Sequence, residues 1–327
     1  MEILVLHPGA LGDIILSLPA LEALRQSCRD PKITLAGNLD YLPLSAWGYA
    51  DHVLSLSAVP IHRLYGGNAP PPGEADWWRS FARVISWTGS EDPEFAAAAA
   101  ALHPAFKIGR WRPRVSEARH AARLFVDSLQ PWVPCQDRIQ PPAIALPAGA
   151  SRRGREWLTS RGWDGATPLL AVHPGAAGPE KRWPVERFEH TLLKTACAAM
   201  TLPIVIEGPA EPGLGAGLVR RLGPGNALFA ESLPLDLLAA VLSHCRSYLG
   251  NDSGISHLAA ALGVATVAVF GPTLPSQWAP LGKRVGVLCD RTACGACGLG
   301  LPRGHVCLDN VGEEAVVKAL AEIAGLR

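Results

Sequence analysis

The sequence predicts two tandem Rossmann-like α/β domains, each a parallel sheet covered by helices on both faces. Three observations carry this expectation. The chain has 327 residues, more than a single hydrophobic core usually serves and about right for two domains. Short apolar runs alternate with amphipathic ones in two separate series, the pattern of parallel strands joined by crossover helices. The tetrapeptide HPGA occurs twice, at 7–10 and 173–176, each time directly after an apolar run. Ligands of such sheets bind beyond the carboxyl ends of the strands. The two copies are therefore expected as loops facing one another across a cleft. Two ordinary strand-end turns are the plainer alternative.

The elements follow in order. Residues 3–7 read as a strand and 14–26 as a helix, with Pro19 marking either a kink or the true helix start. Further strands are expected over 32–36 and 51–56, and a loop over 66–73, "GGNAPPPG". Helices are expected over 95–102 and over 116–129, the latter capped by Ser116. Five prolines between 131 and 147 mark a linker, which divides the chain into domains 1–148 and 149–327. A basic helix over 151–161 opens the second series. Strands at 169–173, 203–207, 247–249 and 265–270 then alternate with helices at 185–200, 235–244 and 254–262. A final helix over 313–324 is expected, with a return onto the first domain left open.

Composition narrows the function. Apolar residues make up 48% and charged residues 18%, so the chain is a soluble globular protein, and a formal charge of +1 gives no global pull toward nucleic acid. Residues 3–6 already look like a core strand directly behind the first methionine, which leaves no secretory signal. No apolar run is long enough for a membrane span. Eight cysteines without an export signal read as reduced cytosolic thiols.

Two stretches of the second half carry chemistry. "GPEKRWP" sets Lys181 and Arg182 just past a strand end. "YLGNDSGISHLAAALG" runs from a strand through Asn251, Asp252, Ser253 and Gly254 into a helix. Small residues at a helix start expose backbone N–H groups, which with the helix dipole attract anions. Lys181 and the 253–255 amides together suit a diphosphate. Simple capping by Asp252 or Ser253 and a solvated Lys181–Arg182 pair are the plainer alternatives. No D-x-D occurs, so a carboxylate pair holding a metal on the diphosphate is not evident, and protein cations must stabilise a departing pyrophosphate. In the first half, "GALGD" is not the dinucleotide fingerprint G-x-G-x-x-G, which argues against a dehydrogenase. Asp13, at a helix start, is either a cap or a general base.

In this order, "HPGALGDIILSLPAL", "HPGAAGPEKRWPVERF" and "NDSGISHLAAALGVATVAVFGPT" resemble glycosyltransferase family 9, the ADP-heptose:lipopolysaccharide heptosyltransferases. The resemblance runs through nearly the whole chain and is strongest in the second half. It implies a GT-B fold, an inverting and metal-independent mechanism, and a sugar nucleotide, ADP-heptose, held by the C-terminal domain. No cofactor is required. Asp13 matches the family's catalytic base and Lys181 its diphosphate-contacting lysine, with Gly12 beside Asp13 on the acceptor side. His173, Gly175, Ala176 and Arg182 fall with Lys181 on the donor side. Gly175 and Ala176 depart from the hydroxylated residues common there, which leaves only backbone contacts. Asp252 matches the carboxylate that holds the donor sugar's hydroxyls, Ser253 and Gly254 the phosphate-binding helix start, and His257 belongs to the same motif.

The basic series Lys107, Arg110, Arg112, Arg114, Arg119 and Arg123 suggests an acidic acceptor, such as a Kdo carboxylate or a core phosphate of a glycolipid or oligosaccharide. Arg110 and Arg112 are the candidates, against a solvated surface. A lipid-anchored acceptor would put this cytoplasmic protein at the inner face of the cytoplasmic membrane. No resident metal is expected. A structural zinc held by Cys289, Cys294, Cys297 and Cys307 is the alternative. A nucleotide-sugar epimerase and a non-catalytic sugar-nucleotide-binding paralogue remain as competing functions.

Overall fold

The structure, a computed structural model, describes residues 1–67, 70–290 and 307–325. The chain divides into two compact units, Met1–Ile144 and Ala145–Arg327, a few residues ahead of the boundary expected after residue 148.

Unit 1 runs β1 (Glu2–Leu6), α1 (Leu11–Ser27), β2 (Lys32–Gly37), β3 (His52–Ser55), α2 (His62–Tyr65), α3 (Pro72–Arg79), β4 (Arg83–Ser86), α4 (Pro93–Leu102), β5 (Phe106–Ile108) and α5 (Ala121–Asp127). Its strands pair in parallel in the order β3-β2-β1-β4-β5. β1 is central and Ile3–Leu6 are fully buried, as a strand covered on both faces requires. Leu4, Leu6, Val84, Trp78 and Phe95 form the core on one face.

Three expectations change here. Helix α1 starts at Leu11 and runs through Pro19, so the proline neither opens nor ends it. The loop expected over 66–73 stops short, because Pro72 begins α3, a position where a missing N–H costs nothing. Helix α5 starts at Ala121, not 116. Its cap is His120, whose side chain accepts from the Ala122 amide, while Glu117 is drawn to Arg110. Strands β4 and β5 were not expected.

Unit 2 runs α6 (Ala150–Ser160), β6 (Leu169–His173), α7 (Val185–Ala199), β7 (Leu202–Glu207), α8 (Leu214–Leu222), β8 (Leu228–Glu231), α9 (Leu235–Leu242), β9 (Cys245–Asn251), α10 (Gly254–Ala261), β10 (Ala265–Val269), α11 (Pro275–Trp278), β11 (Val285–Leu288) and α12 (Glu313–Ala324). The strands pair in parallel in the order β11-β10-β9-β6-β7-β8. Counted from the first strand of the unit this is the doubly wound order of dinucleotide-binding sheets.

The core of unit 2 gathers Leu170, Val172, Trp183, Phe188, Val205, Leu249 and Val267. Val316 and Leu320 of α12 belong to it, and Lys194 of α7 reaches Glu313 and Glu314 at the start of α12. The final helix, for which the sequence left open a return to the first domain, thus packs into the core of unit 2.

Each sheet has one place where strand order reverses: between β1 and β4 in unit 1, and between β6 and β9 in unit 2. There the connecting helices leave to opposite faces and open a crevice at the carboxyl ends of the two strands. His173, the last residue of β6, pairs with Gly250 of β9, so the second HPGA loop and the NDSG segment emerge side by side.

Candidate active site

At the β6/β9 crevice the backbone is held by Asn251, fully buried at the end of β9. Its Oδ1 accepts from the Trp183 amide at 2.9 Å, and its Nδ2 donates to the Pro174 carbonyl at 2.8 Å and the Gly175 carbonyl at 3.3 Å. One amide therefore joins the HPGA loop, the KRWP turn and the NDSG segment. Trp183 is anchored at its far end as well, since its Nε1 donates to the Val311 carbonyl at 3.1 Å.

Lys181 and Asp252 follow from this clamp. The lysine ammonium donates to Asp252 Oδ2 at 2.8 Å, and the hydroxyl of Thr273 donates to the same oxygen at 2.6 Å. Arg182 turns the other way and donates through Nε and Nη2 to the Ala176 carbonyl, which fixes the end of the HPGA loop.

Ser253 is the N-cap of α10, yet its side chain does not cap the helix. The hydroxyl lies 3.2 Å from His173 Nδ1 and 3.3 Å from Ser256 Oγ. The Gly254 and Ile255 amides at the start of α10 have no partner within the helix, the general condition of a helix N-terminus. They supply donors and a positive dipole end for an anion. His257 is buried one turn further in.

The second nitrogen of His173, Nε2, donates to Glu211 Oε1 at 2.7 Å, with both side chains about 5% exposed. Burial pushes the Glu211 carboxyl up. The hydrogen bond and charge of His173, the Gly208 amide and Arg182 outweigh this and hold it below its ordinary value. Glu211 lies so close to Gly175 that a Cβ there would sit 2.2 Å from Glu211 Oε1. Position 175 must be glycine while Glu211 stays where it is. Glu207, at the end of β7, shapes the same loop by accepting from the Gly213 and Ala216 amides at 2.8 and 2.9 Å.

In unit 1, Asp13 and Gly12 lie in the first turn of α1. Asp13 is the third residue of the helix, not its N-cap, and its Oδ2 accepts from the amide of the N-cap residue Ala10 at 3.0 Å, tying the helix start to the loop. A Cβ on Gly9 would meet Asp13 Cβ at 2.5 Å, which makes glycine the residue that lets the loop close over the aspartate. His7 supports the turn: its Nδ1 accepts from the Gly9 amide at 3.0 Å, and its ring lies against Trp87 and Phe125. Burial lowers its pKa from 6.5 to about 3.

Arg110 and Arg112 line one cleft of about 460 Å³ in unit 1, together with Trp111, Tyr65, Glu91 and Asp92. Arg112 stacks 3.9 Å from the centre of the Trp111 ring. Arg110 donates to Glu117 at 2.8 Å, and that bond holds the Glu117 carboxyl below its ordinary value. The rest of the basic series is partly tied up by neighbours in unit 1, with Arg114 and Arg119 exposed. Lys107 donates to the Gln130 carbonyl, and Arg119 and Arg123 pair with Asp127.

The donor-side residues expected from sequence thus converge at one crevice, whereas Asn251, Glu211 and Thr273 were missed. Asn251 carried a signal, an amide closing an otherwise apolar buried strand. Of the cysteine quartet, Cys289 and Cys307 are described and Cys307 is buried. Cys294 and Cys297 lie outside the described residues. Among the described residues no group of three or more His, Cys, Asp or Glu side chains could hold a metal ion, and no helix is long and apolar enough to cross a membrane.

The family model of glycosyltransferase family 9 (heptosyltransferase) matches residues 110–298. Lipooligosaccharide heptosyltransferase 2 of Haemophilus influenzae is 24% identical over 174 residues, 52% of this chain and 50% of that protein. The Haemophilus ducreyi protein of the same name is 33% identical over 129 residues, 37% and 36% of the two chains. The chain thus spans half or less of the length of these two relatives. Lipopolysaccharide heptosyltransferase 1 of Escherichia coli is 23% identical over 341 residues, 99% of this chain and 100% of that protein.

Among solved structures, the E. coli ADP-heptose LPS heptosyltransferase II aligns with TM-score 0.73 and 18% identity over 99% of this chain and 98% of that one. A family 9 glycosyltransferase from Veillonella parvula gives TM-score 0.77 and 22% identity over 99% and 97%. An iron-containing dodecameric glycosyltransferase from enterotoxigenic E. coli gives 0.62 and 14% over 98% and 75%. At these identities the likeness is one of fold, and the fold is GT-B.

The buried His7 sets a pH dependence of stability. In the unfolded chain the ring takes up a proton as pH falls through 6.5, whereas the folded chain resists protonation down to about pH 3. Stability is therefore lost as pH falls across that window, by up to about 1.4 kcal/mol per pH unit. Urea unfolding of wild type and His7→Phe at pH 7, 6 and 5 should show the wild type losing ground steadily to the variant. A pH-independent difference would contradict the burial of a neutral ring.

Proposed function

This chain belongs to glycosyltransferase family 9, the heptosyltransferases, and from that premise we propose that it moves a heptose from ADP-heptose to a hydroxyl of a lipopolysaccharide-core or similar glycan. The observation that carries the reading is the convergence of Lys181, Asp252, Ser253 and the α10 N-terminus at the reversal point of the unit 2 sheet.

The roles follow from the chemistry of each group. The diphosphate of the donor draws Lys181 and the Gly254 and Ile255 amides. These groups take up the negative charge that grows on the leaving oxygen as the anomeric C–O bond breaks. Asp252 accepts hydrogen bonds from the donor sugar's hydroxyls. His173, Gly175, Ala176 and Arg182 shape the loop beside the phosphates, and His257 braces the start of α10 from within. The acceptor oxygen attacks the anomeric carbon from the face opposite the leaving diphosphate, so configuration inverts. Its proton passes to Asp13, with Gly12 leaving the approach clear. A carboxylate at a helix start is a weak base. It suffices here because the attacked carbon becomes cationic and the hydroxyl need lose its proton only late. Protein cations and amides neutralise the leaving group, so the scheme has no metal step.

The cleft of Arg110, Arg112 and Trp111 takes the acceptor, with the guanidinium groups meeting a carboxylate or phosphate and the indole offering a face to a sugar ring. With a lipid-anchored acceptor the enzyme works from the cytoplasm against the inner membrane face. The presence of both Asp13 and Lys181 favours an enzyme over a non-catalytic binding protein, and donor turnover that requires an acceptor distinguishes transfer from epimerisation.

A thermal-shift panel of ADP, ADP-heptose and UDP- and GDP-sugars tests the donor. A ligand that binds only the folded state raises its stability, and ADP or ADP-heptose is expected to give the largest shift. A larger shift with UDP or GDP compounds overturns the assignment. Asp13→Asn keeps the oxygen that accepts from Ala10 and removes the base. Its kcat is expected to fall about 10²- to 10⁴-fold, with the thermal shift by ADP unchanged. Undiminished turnover would remove Asp13 from the mechanism. In the double variant Arg110→Ala/Arg112→Ala the acceptor KM should rise about tenfold or more while the donor KM holds. An unchanged acceptor KM moves the acceptor elsewhere.

A further inference from the structure

The FGPT turn beyond β10 holds a side chain that the scheme above leaves without a task. Thr273 is buried, 4% exposed, and its Oγ1 donates to Asp252 Oδ2 at 2.6 Å. The same oxygen accepts from Lys181 Nζ at 2.8 Å. The Asp252 amide donates to the carbonyl of Val269, the last residue of β10, at 3.1 Å. Strand β10 and the turn that follows it therefore hold both the main chain and the carboxylate of Asp252.

The two donors on Oδ2 respond differently to a nucleoside diphosphate. Lys181 is a flexible cation with a 20% exposed side chain, and a diphosphate competes for it directly. Thr273 is neutral, buried and stiff at χ1, so it has no charge for a diphosphate to attract and little freedom to leave Asp252. Once Lys181 turns to the phosphates, Thr273 is the donor left on Asp252.

We propose that Thr273 is the positioning residue for Asp252, holding the carboxylate in its sugar-facing orientation while Lys181 exchanges it for the diphosphate. This rests on the reading of Asp252 as the carboxylate that receives the donor sugar's hydroxyls. Thr273 does not touch the substrate. Its effect falls on the sugar half of the donor and spares the nucleotide half.

Thr273→Val removes the hydroxyl and keeps the shape, and Thr273→Ser keeps the hydroxyl. Calorimetry with ADP and steady-state kinetics with ADP-heptose separate the two halves of the donor. Thr273→Val should bind ADP within about twofold of wild type and lose about ten- to a hundredfold in kcat/KM for ADP-heptose, the range for one hydrogen bond to a charged group. Thr273→Ser should recover most of that loss. Thr273→Ala, which removes the same hydroxyl without setting a methyl against the carboxylate, gives the same readout should the valine variant not fold. Equal loss of ADP binding and turnover, with serine no better than valine, would mean a merely structural role and overturns the proposal. A wild-type enzyme that transfers heptose and is matched by Thr273→Val overturns the role of Thr273 alone. A wild type that binds ADP yet turns over no sugar nucleotide overturns the underlying reading, and this one with it.

Discussion

The side-chain amide of Asn251 is the contact on which the β6/β9 crevice depends. Two connections, from β6 to α7 and from β9 to α10, leave the carboxyl ends of adjacent strands of unit 2 at this point, and short-range sequence alone gives neither a fixed conformation. Asn251 satisfies one buried amide from the KRWP turn and two buried carbonyls from the HPGA loop. Each such group left unpaired away from water would cost about 1–3 kcal/mol. With that clamp in place Lys181 has little choice but to meet Asp252, and Arg182 the Ala176 carbonyl. The geometry of this candidate site is inherited from backbone satisfaction.

The crevice is also balanced in charge. Lys181 faces Asp252, and His173 and Arg182 lie near Glu211, so each ionised group has a partner close at hand. Buried charges persist only when paired and hydrogen-bonded, and the pairing keeps the resting site ordered. Under the proposed function, a diphosphate at this crevice would displace one partner instead of filling an unneutralised hole. On that proposal its affinity would be a difference between two ion-pair arrangements, sensitive to every group that supports Asp252.

Much of the architecture was legible because buried parallel strands are short, apolar and bounded by glycine or proline. β1, β2, β6, β7 and β10 announce themselves that way. The missed strands are short, and three carry a charged residue: β4 begins on Arg83, β5 has Lys107 at its centre and β8 ends on Glu231, while β11 is only the four residues VGVL. Their identity is decided by the neighbours they pair with, which a local pattern does not contain. Pro19 misled because surrounding packing can outweigh a lost helical hydrogen bond. The site divides in the same way. Lys181, Asp252 and Ser253 sit in contiguous motifs, so spacing exposes them. Glu211 and Thr273 act from separate loops, 38 residues from His173 and 21 from Asp252, and only folding brings them in.

The contact between Gly175 and Glu211 bears on how such a crevice can change over generations. Any side chain at 175 would collide with the carboxylate now lying there. A substitution at 175 taken alone passes through a protein that has lost one arrangement without gaining another. The two positions are thus tied together: a change at 175 calls for a matching change at 211.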